Sequence, residues 1–121
     1  MSKTILVVDD SDSLRQVLAI SLSGAGYNVL EARDGKDALC KLDGTRVHLI
    51  ISDFNMPIMN GIEFVKNVKL LPKYKFTPII MLTTESQQHL MDESKKAGAK
   101  AWMIKPFKPD QMLQAVSKLI A

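Results

Sequence analysis

Residues 5–13 read ILVVDDSDS: four apolar residues run straight into three carboxylates within four positions, Asp9, Asp10 and Asp12. The aliphatic run, bounded by charge, reads as a short buried strand. Like charges so close together repel, so a chain that crowds them at a strand end needs a reason, such as a bound cation.

Working outward, the same alternation recurs. Thr4 to Val8, Asn28 to Ala32, Leu49 to Ser52, Pro78 to Leu82 and Ala101 to Ile104 are short, aliphatic or β-branched, and read as five strands. Between the first two, Leu14, Val17, Leu18, Ser21, Leu22 and Ala25 share a helical face, and Ser13 with Gln16 has capping-box spacing. Ala38 with Leu42, Ile62 with Val65 and Val68, and Leu90 with Ser94 and Ala97 repeat the helical spacing more weakly. Met112, Ala115, Val116, Leu119 and Ile120 form the stripe of a last helix, with Pro109 suited to its first turn. The expectation is a single α/β domain over residues 1–121, with a mostly parallel sheet and helices on both faces.

In that architecture ligands sit outside the carboxyl ends of the strands. Strand one ends in DDSD, strand three in ISDFNMP, strand four in MLTTES and strand five in MIKPF. Asp9, Asp10, Asp53, Thr83 and Lys105 should therefore converge on one rim.

Composition narrows the function classes. The 121 residues are 46% hydrophobic and 24% charged, with a formal net charge of +3, ordinary values for a globular domain. The sequence pI near 9.0 could hint at nucleic acid. Yet Lys66, Lys69, Lys73, Lys75, Lys95, Lys96 and Lys100 are scattered along the chain with no dense run, so they read as solvated surface. The single Cys40 cannot form an internal disulfide and suits a reducing compartment. No apolar run reaches the roughly 18 residues of a membrane span. MSKTILVVDD turns acidic too early for a signal peptide, so a cytoplasmic protein without nucleic-acid or membrane partners is expected.

LVVDDS, Asp53 inside SDFNMP with Gly61 beyond, MLTTE and IKPF occur in an order and spacing that resembles the receiver domain of two-component response regulators, closest to the single-domain chemotaxis regulator type. The resemblance implies a flavodoxin-like (βα)5 domain with strand order 2-1-3-4-5. It implies that Asp53 takes a phosphoryl group from a histidine kinase phosphohistidine, with Mg²⁺ as cofactor. The carry-over makes Asp10 a direct metal ligand, Asp9 a ligand mainly through water, and Asn55 a ligand through its backbone carbonyl. It also implies a cis bond between Lys105 and Pro106.

These residue types suit that chemistry. Mg²⁺ takes carboxylates, waters and a phosphate oxygen in octahedral geometry. Phosphoryl transfer depends on positioning and on positive charge around the equatorial oxygens, which Mg²⁺ and Lys105 would supply, while the Thr83 hydroxyl can donate to one of them. Asp12 lies outside the matched acidic pair and fits a helix start. Thr84 stands where the family usually has Ala or Gly, and its bulk bears on the access of small phosphodonors or water. Trp102 stands at the family's switch position, where activation is expected to move an exposed ring inward in concert with Thr83. Its bland alternative is a half-buried anchor whose N–H is satisfied at the surface. His48 and His89 have no ligand-like spacing, and Met56, Met59, Met91, Met103 and Met112 read first as core filling.

The expected output is phosphorylation-dependent protein binding in a monomer. Its partners would be a histidine kinase, a downstream target such as the flagellar motor switch, and a phosphatase. Catalysis beyond self-catalysed phosphotransfer and autodephosphorylation is not expected. The alternatives are a phosphate sink or relay element, an interaction module that never receives phosphate, and a phosphatase of the haloacid dehalogenase type, which DSDSL half resembles. A flavin or nucleotide carrier is disfavoured, because three carboxylates would repel a phosphate at that strand end.

Overall fold

The computed structural model describes residues 3–84 and 88–120. Its elements alternate as β1 (Thr4–Val8), α1 (Asp12–Gly24), β2 (Asn28–Ala32), α2 (Gly35–Lys41), β3 (Leu49–Asp53), α3 (Gly61–Lys69), β4 (Ile79–Thr83), α4 (Gln88–Ala97), β5 (Ala101–Ile104) and α5 (Pro109–Ile120). The strands pair in parallel in the order β2-β1-β3-β4-β5, as the resemblance implied.

Helices cover both faces, which is why β1, β3 and β4 read as nearly unbroken aliphatic runs. Alternate residues serve opposite cores. Leu6, Val8, Ile50 and Met81 join Ala38, Phe64, Val65 and Val68 of α2 and α3. Ile5, Val7, Ile51 and Leu82 join Leu18 and Leu22 of α1 and Met112 and Val116 of α5. Each such side chain contributes about 1.5–3 kcal/mol of burial, so the three central strands anchor the fold.

Three local expectations need correction. The cap of α1 is Ser11, whose hydroxyl accepts from the Leu14 N–H at 3.3 Å, and not Ser13 with Gln16. Asp9 accepts the Ser11 N–H at 2.8 Å, which turns the chain out of the strand early and leaves Ser13 already inside the helix. The buried stripe of α1 is also narrower than its spacing suggested: Leu18 and Leu22 are buried, while Val17 is 48% exposed and Ala25 is exposed. Finally, β3 continues to Asp53 and β4 occupies Ile79–Thr83, one residue later than expected at its start. Pro78 has no N–H for the ladder and only accepts, from Ile50.

Pro109 does open α5, and Cys40 lies exposed on α2. Buried Met112 fills core, and His48 is structural, its Nδ1 accepting from the Thr4 N–H at 3.0 Å. Among the described residues no helix is long and apolar enough to cross a membrane.

Candidate functional site

The rim at the carboxyl ends of the strands holds most of the residues picked out by the sequence. Asp9 follows β1 and is buried, held by its N–H on the Ala32 carbonyl at 3.0 Å and by its carboxylate on the Ser11 N–H. Asp10 is exposed beside it. Asp53 ends β3 and is buried, with the next residue, Phe54, donating to the Leu82 carbonyl at 2.7 Å. Lys105 follows β5, its N–H on the Thr83 carbonyl at 2.7 Å, and its bond to Pro106 is cis.

The Lys105 Nζ lies 3.0 Å from Asp53 Oδ1 and 3.3 Å from Asp9 Oδ2. Burial is the largest influence on Asp53 and raises its pKa; the Lys105 hydrogen bond opposes the rise, and the charges of Asp9 and Asp10 add to it. Burial also disfavours the Lys105 ammonium, but hydrogen bonds and attraction from Asp53 and Asp9 outweigh it, so its pKa is raised as well. One ammonium thus serves two buried carboxylates, with Asp10 beside them. One carboxylate oxygen from each of Asp9, Asp10 and Asp53 lies within 4.8 Å of the other two. This compact set of hard oxygen donors, short of positive charge, could hold a metal ion and fits a divalent cation such as Mg²⁺.

Other expected residues stand at different distances from this centre. Thr83, fully buried, ends β4 next to β3. Asn55 is exposed in the loop after β3. Asp12 lies in the first turn of α1 and pairs with Arg15 at 2.5 Å, as a helix-start residue rather than part of the carboxylate cluster. Thr84 is exposed and lines an open apolar groove of about 440 Å³ with Leu14, Val17, Lys105, Pro106 and Phe107. Glu85 of the MLTTE stretch lies outside the described residues.

Trp102 corrects two expectations at once. Its side lies with the α3 and α4 face, opposite to that of its neighbour Met103. However, the ring is already partly buried against that core, with its centroid 6.4 Å from that of Phe54. The indole N–H is buried without a hydrogen-bond partner among the described residues, rather than satisfied at the surface.

Arg15 and Ile58 escaped the sequence reading, and the structure shows what the Gly61 of the resemblance does. Arg15 donates to the Asp9 carbonyl at 2.7 Å while bridging Asp12 and Glu31, and so ties the acidic turn to α1 and β2. Its i,i+3 spacing from Asp12 was the available signal. Gly61 lets the loop after β3 close on itself: a Cβ there would come within 2.6 Å of Met81 Sδ, 2.9 Å of Phe54 Cα and 3.0 Å of the Asp53 carbonyl oxygen. Ile58, in the same loop, is exposed with φ at 76°, a left-handed conformation that costs a β-branched residue about 1–2 kcal/mol.

Comparison with known proteins agrees with this geometry. Residues 5–117 match the model of the response regulator receiver domain family. The chain is 39% identical over 118 residues to chemotaxis protein CheY1 of Helicobacter pylori, covering 96% of this chain and 95% of that one. It is 36% identical over 121 residues to CheY of Thermotoga maritima, covering 98% of each. The solved structure of Vibrio cholerae CheY4 superposes with a TM-score of 0.95 at 46% identity, over 98% of this chain and 99% of that one. The (βα)5 order, the rim of carboxylates with one lysine and these likenesses place the chain in the response regulator receiver family of two-component phosphorelay signalling.

Proposed function

We propose that this receiver is phosphorylated on Asp53 by a histidine kinase and signals by changing its affinity for a downstream protein, in chemotaxis or flagellar motor control. One observation carries the reading: the buried Asp53 carboxylate shares Lys105 with Asp9 and lies with Asp9 and Asp10 inside a 4.8 Å cluster of oxygens. The chemotaxis assignment draws on the names of the relatives.

In the proposed step an Asp53 carboxylate oxygen attacks the phosphorus of a phosphohistidine. The P–N bond breaks and the imidazole leaves with the electron pair. Asp9, Asp10, Asp53 and the Asn55 carbonyl would hold Mg²⁺, which when bound supplies positive charge to the phosphoryl oxygens. Lys105 needs no new charge to take part: it leaves its bridge between Asp9 and Asp53 for a phosphoryl oxygen as the negative charge on Asp53 is spent. The Thr83 hydroxyl, on the adjacent strand end, donates to a second oxygen. Trp102 lies next to Thr83's strand, paired with Met81, and is the side chain through which that movement reaches the α4 and β5 surface.

The test is incubation with acetyl phosphate and Mg²⁺. The wild-type chain should gain one phosphoryl group that alkali and hydroxylamine release, and both Asp53→Asn and omission of Mg²⁺ should abolish it. Full labelling of folded Asp53→Asn would overturn the assignment.

A further inference from the structure

We propose that the end of the molecule opposite Asp53 docks on an anionic lipid surface, with Leu70 and Phe76 entering the headgroup layer and Lys69, Lys73, Lys75 and Lys100 around them contacting lipid phosphates. Leu70 is 79% exposed and Phe76 86% exposed, the two most exposed large apolar residues described. Both follow α3 on the way to β4, at the amino edge of the parallel sheet.

Lysines far apart in sequence are gathered there by the fold. Lys69 Nζ donates to the Thr77 carbonyl at 2.8 Å, and its stem lies against Gly98, where a Cβ would meet it at 2.9 Å. Lys100 donates its backbone N–H to Ile79 at 2.9 Å, Lys73 reaches the Gly44 carbonyl, and the Lys75 ammonium sits 5.6 Å from the centroid of the Phe76 ring. Burial, then the nearby charge of Lys100, lower the Lys69 pKa, consistent with crowded positive charge. Residues 64–84 contain no acidic residue, nor do residues 94–109. None of Lys69, Lys73, Lys75 and Lys100 pairs with a carboxylate among the described residues. Asp43, the acidic residue of the neighbouring α2–β3 loop, accepts instead from the Thr45 hydroxyl.

Helix dipoles account for lysines in the last turns of α3 and α4, but not for Lys73, Lys75 and Lys100, nor for two apolar side chains held out in water. The apolar tips protrude rather than line a groove, so they suit a planar, deformable layer better than a peptide, and the surrounding charge selects an anionic one.

The test is co-sedimentation of the full chain with vesicles of phosphatidylcholine alone or mixed with phosphatidylglycerol. Binding should require phosphatidylglycerol and weaken with salt. It should fall roughly tenfold in Leu70→Ser/Phe76→Ser and about fivefold for each charge removed in Lys73→Gln/Lys75→Gln, with melting temperatures unchanged as the check on folding. No binding to phosphatidylglycerol vesicles, equal binding to both vesicle types, or binding undiminished in Leu70→Ser/Phe76→Ser would overturn the proposal. Capture by polyglutamate without vesicle binding would likewise overturn it in favour of an acidic protein partner.

Discussion

At the carboxyl edge of the sheet Asp9 and Asp53 are 1% and 4% exposed and share one lysine, whereas at the amino edge Leu70 and Phe76 stand free among lysines. One edge buries charge and the other exposes apolar surface. The helices explain how one chain tolerates both. Because all five strands are parallel, the helix that follows each one begins at the carboxyl edge and runs back toward the amino edge. Their positive ends favour carboxylates at the first, as at Asp12, Asp37, Glu63 and Asp110. Their negative ends favour Lys41, Lys69, Lys96 and Lys118 at the second. Charge sign is therefore sorted by topology, while burial at the rim is set by the side chains that meet there.

If that contrast is right, the rim should respond far more than the opposite edge to single changes. The largest effect is expected for Lys105→Met, which leaves two buried carboxylates without their cation. In chelator at pH 7 it should cost roughly 3 kcal/mol by urea unfolding, and added Mg²⁺ should recover more stability than it adds to wild type. An unaltered urea midpoint would mean that the ammonium does not compensate the rim.

Next come two glycines. Gly61→Ala forces a Cβ onto Met81 and the Asp53 backbone and should lower stability by about 2 kcal/mol. Gly24→Ala, at the end of α1 with nothing within 4 Å, should raise it by about 0.5 kcal/mol. Equal shifts in thermal unfolding would erase the contrast.

The fold itself was largely legible in the sequence because the central strands are buried on both faces and so carry no polar interruption until the rim. Errors arose where a local hydrogen bond overrode spacing. Spacing alone favours Ser13 as the cap, because the role of Ser11 depends on Asp9 taking its N–H, a contact that strand and helix periodicity do not encode. Asp9, Asp10, Asp53 and Lys105 could be expected together from strand-end positions. The supports Arg15 and Ile58 could not, since they depend on the path of two loops, and Gly61 entered only through the resemblance. The lysines read as scattered for the same reason: Lys69 and Lys100 become neighbours only when α3 packs beside α4.

A smaller effect concerns the charge of Asp53. Its folded pKa is raised above 3.8, with burial the first cause, so this group stabilises the fold below its unfolded pKa and loses that contribution as pH rises through the folded value. Asp53→Asn should therefore melt a few degrees above wild type in chelator at pH 7, with the gap closing on acidification. A gap that widens toward low pH would reverse the sign of the argument. The smallest effect is expected at the other edge, where Leu70→Ser/Phe76→Ser should change unfolding free energy by no more than about 0.5 kcal/mol.

The central claim is that the buried carboxylate of Asp53 is the phosphoacceptor, and locating the phosphoryl group tests it most directly. After reaction with acetyl phosphate and Mg²⁺, borohydride reduction converts an aspartyl phosphate to homoserine, which peptide mass mapping can place. Homoserine is expected at position 53 alone, in an Mg²⁺-dependent amount. Homoserine at position 9 or 10, or a stable phosphate on a serine, threonine or histidine with residue 53 unchanged, would contradict it.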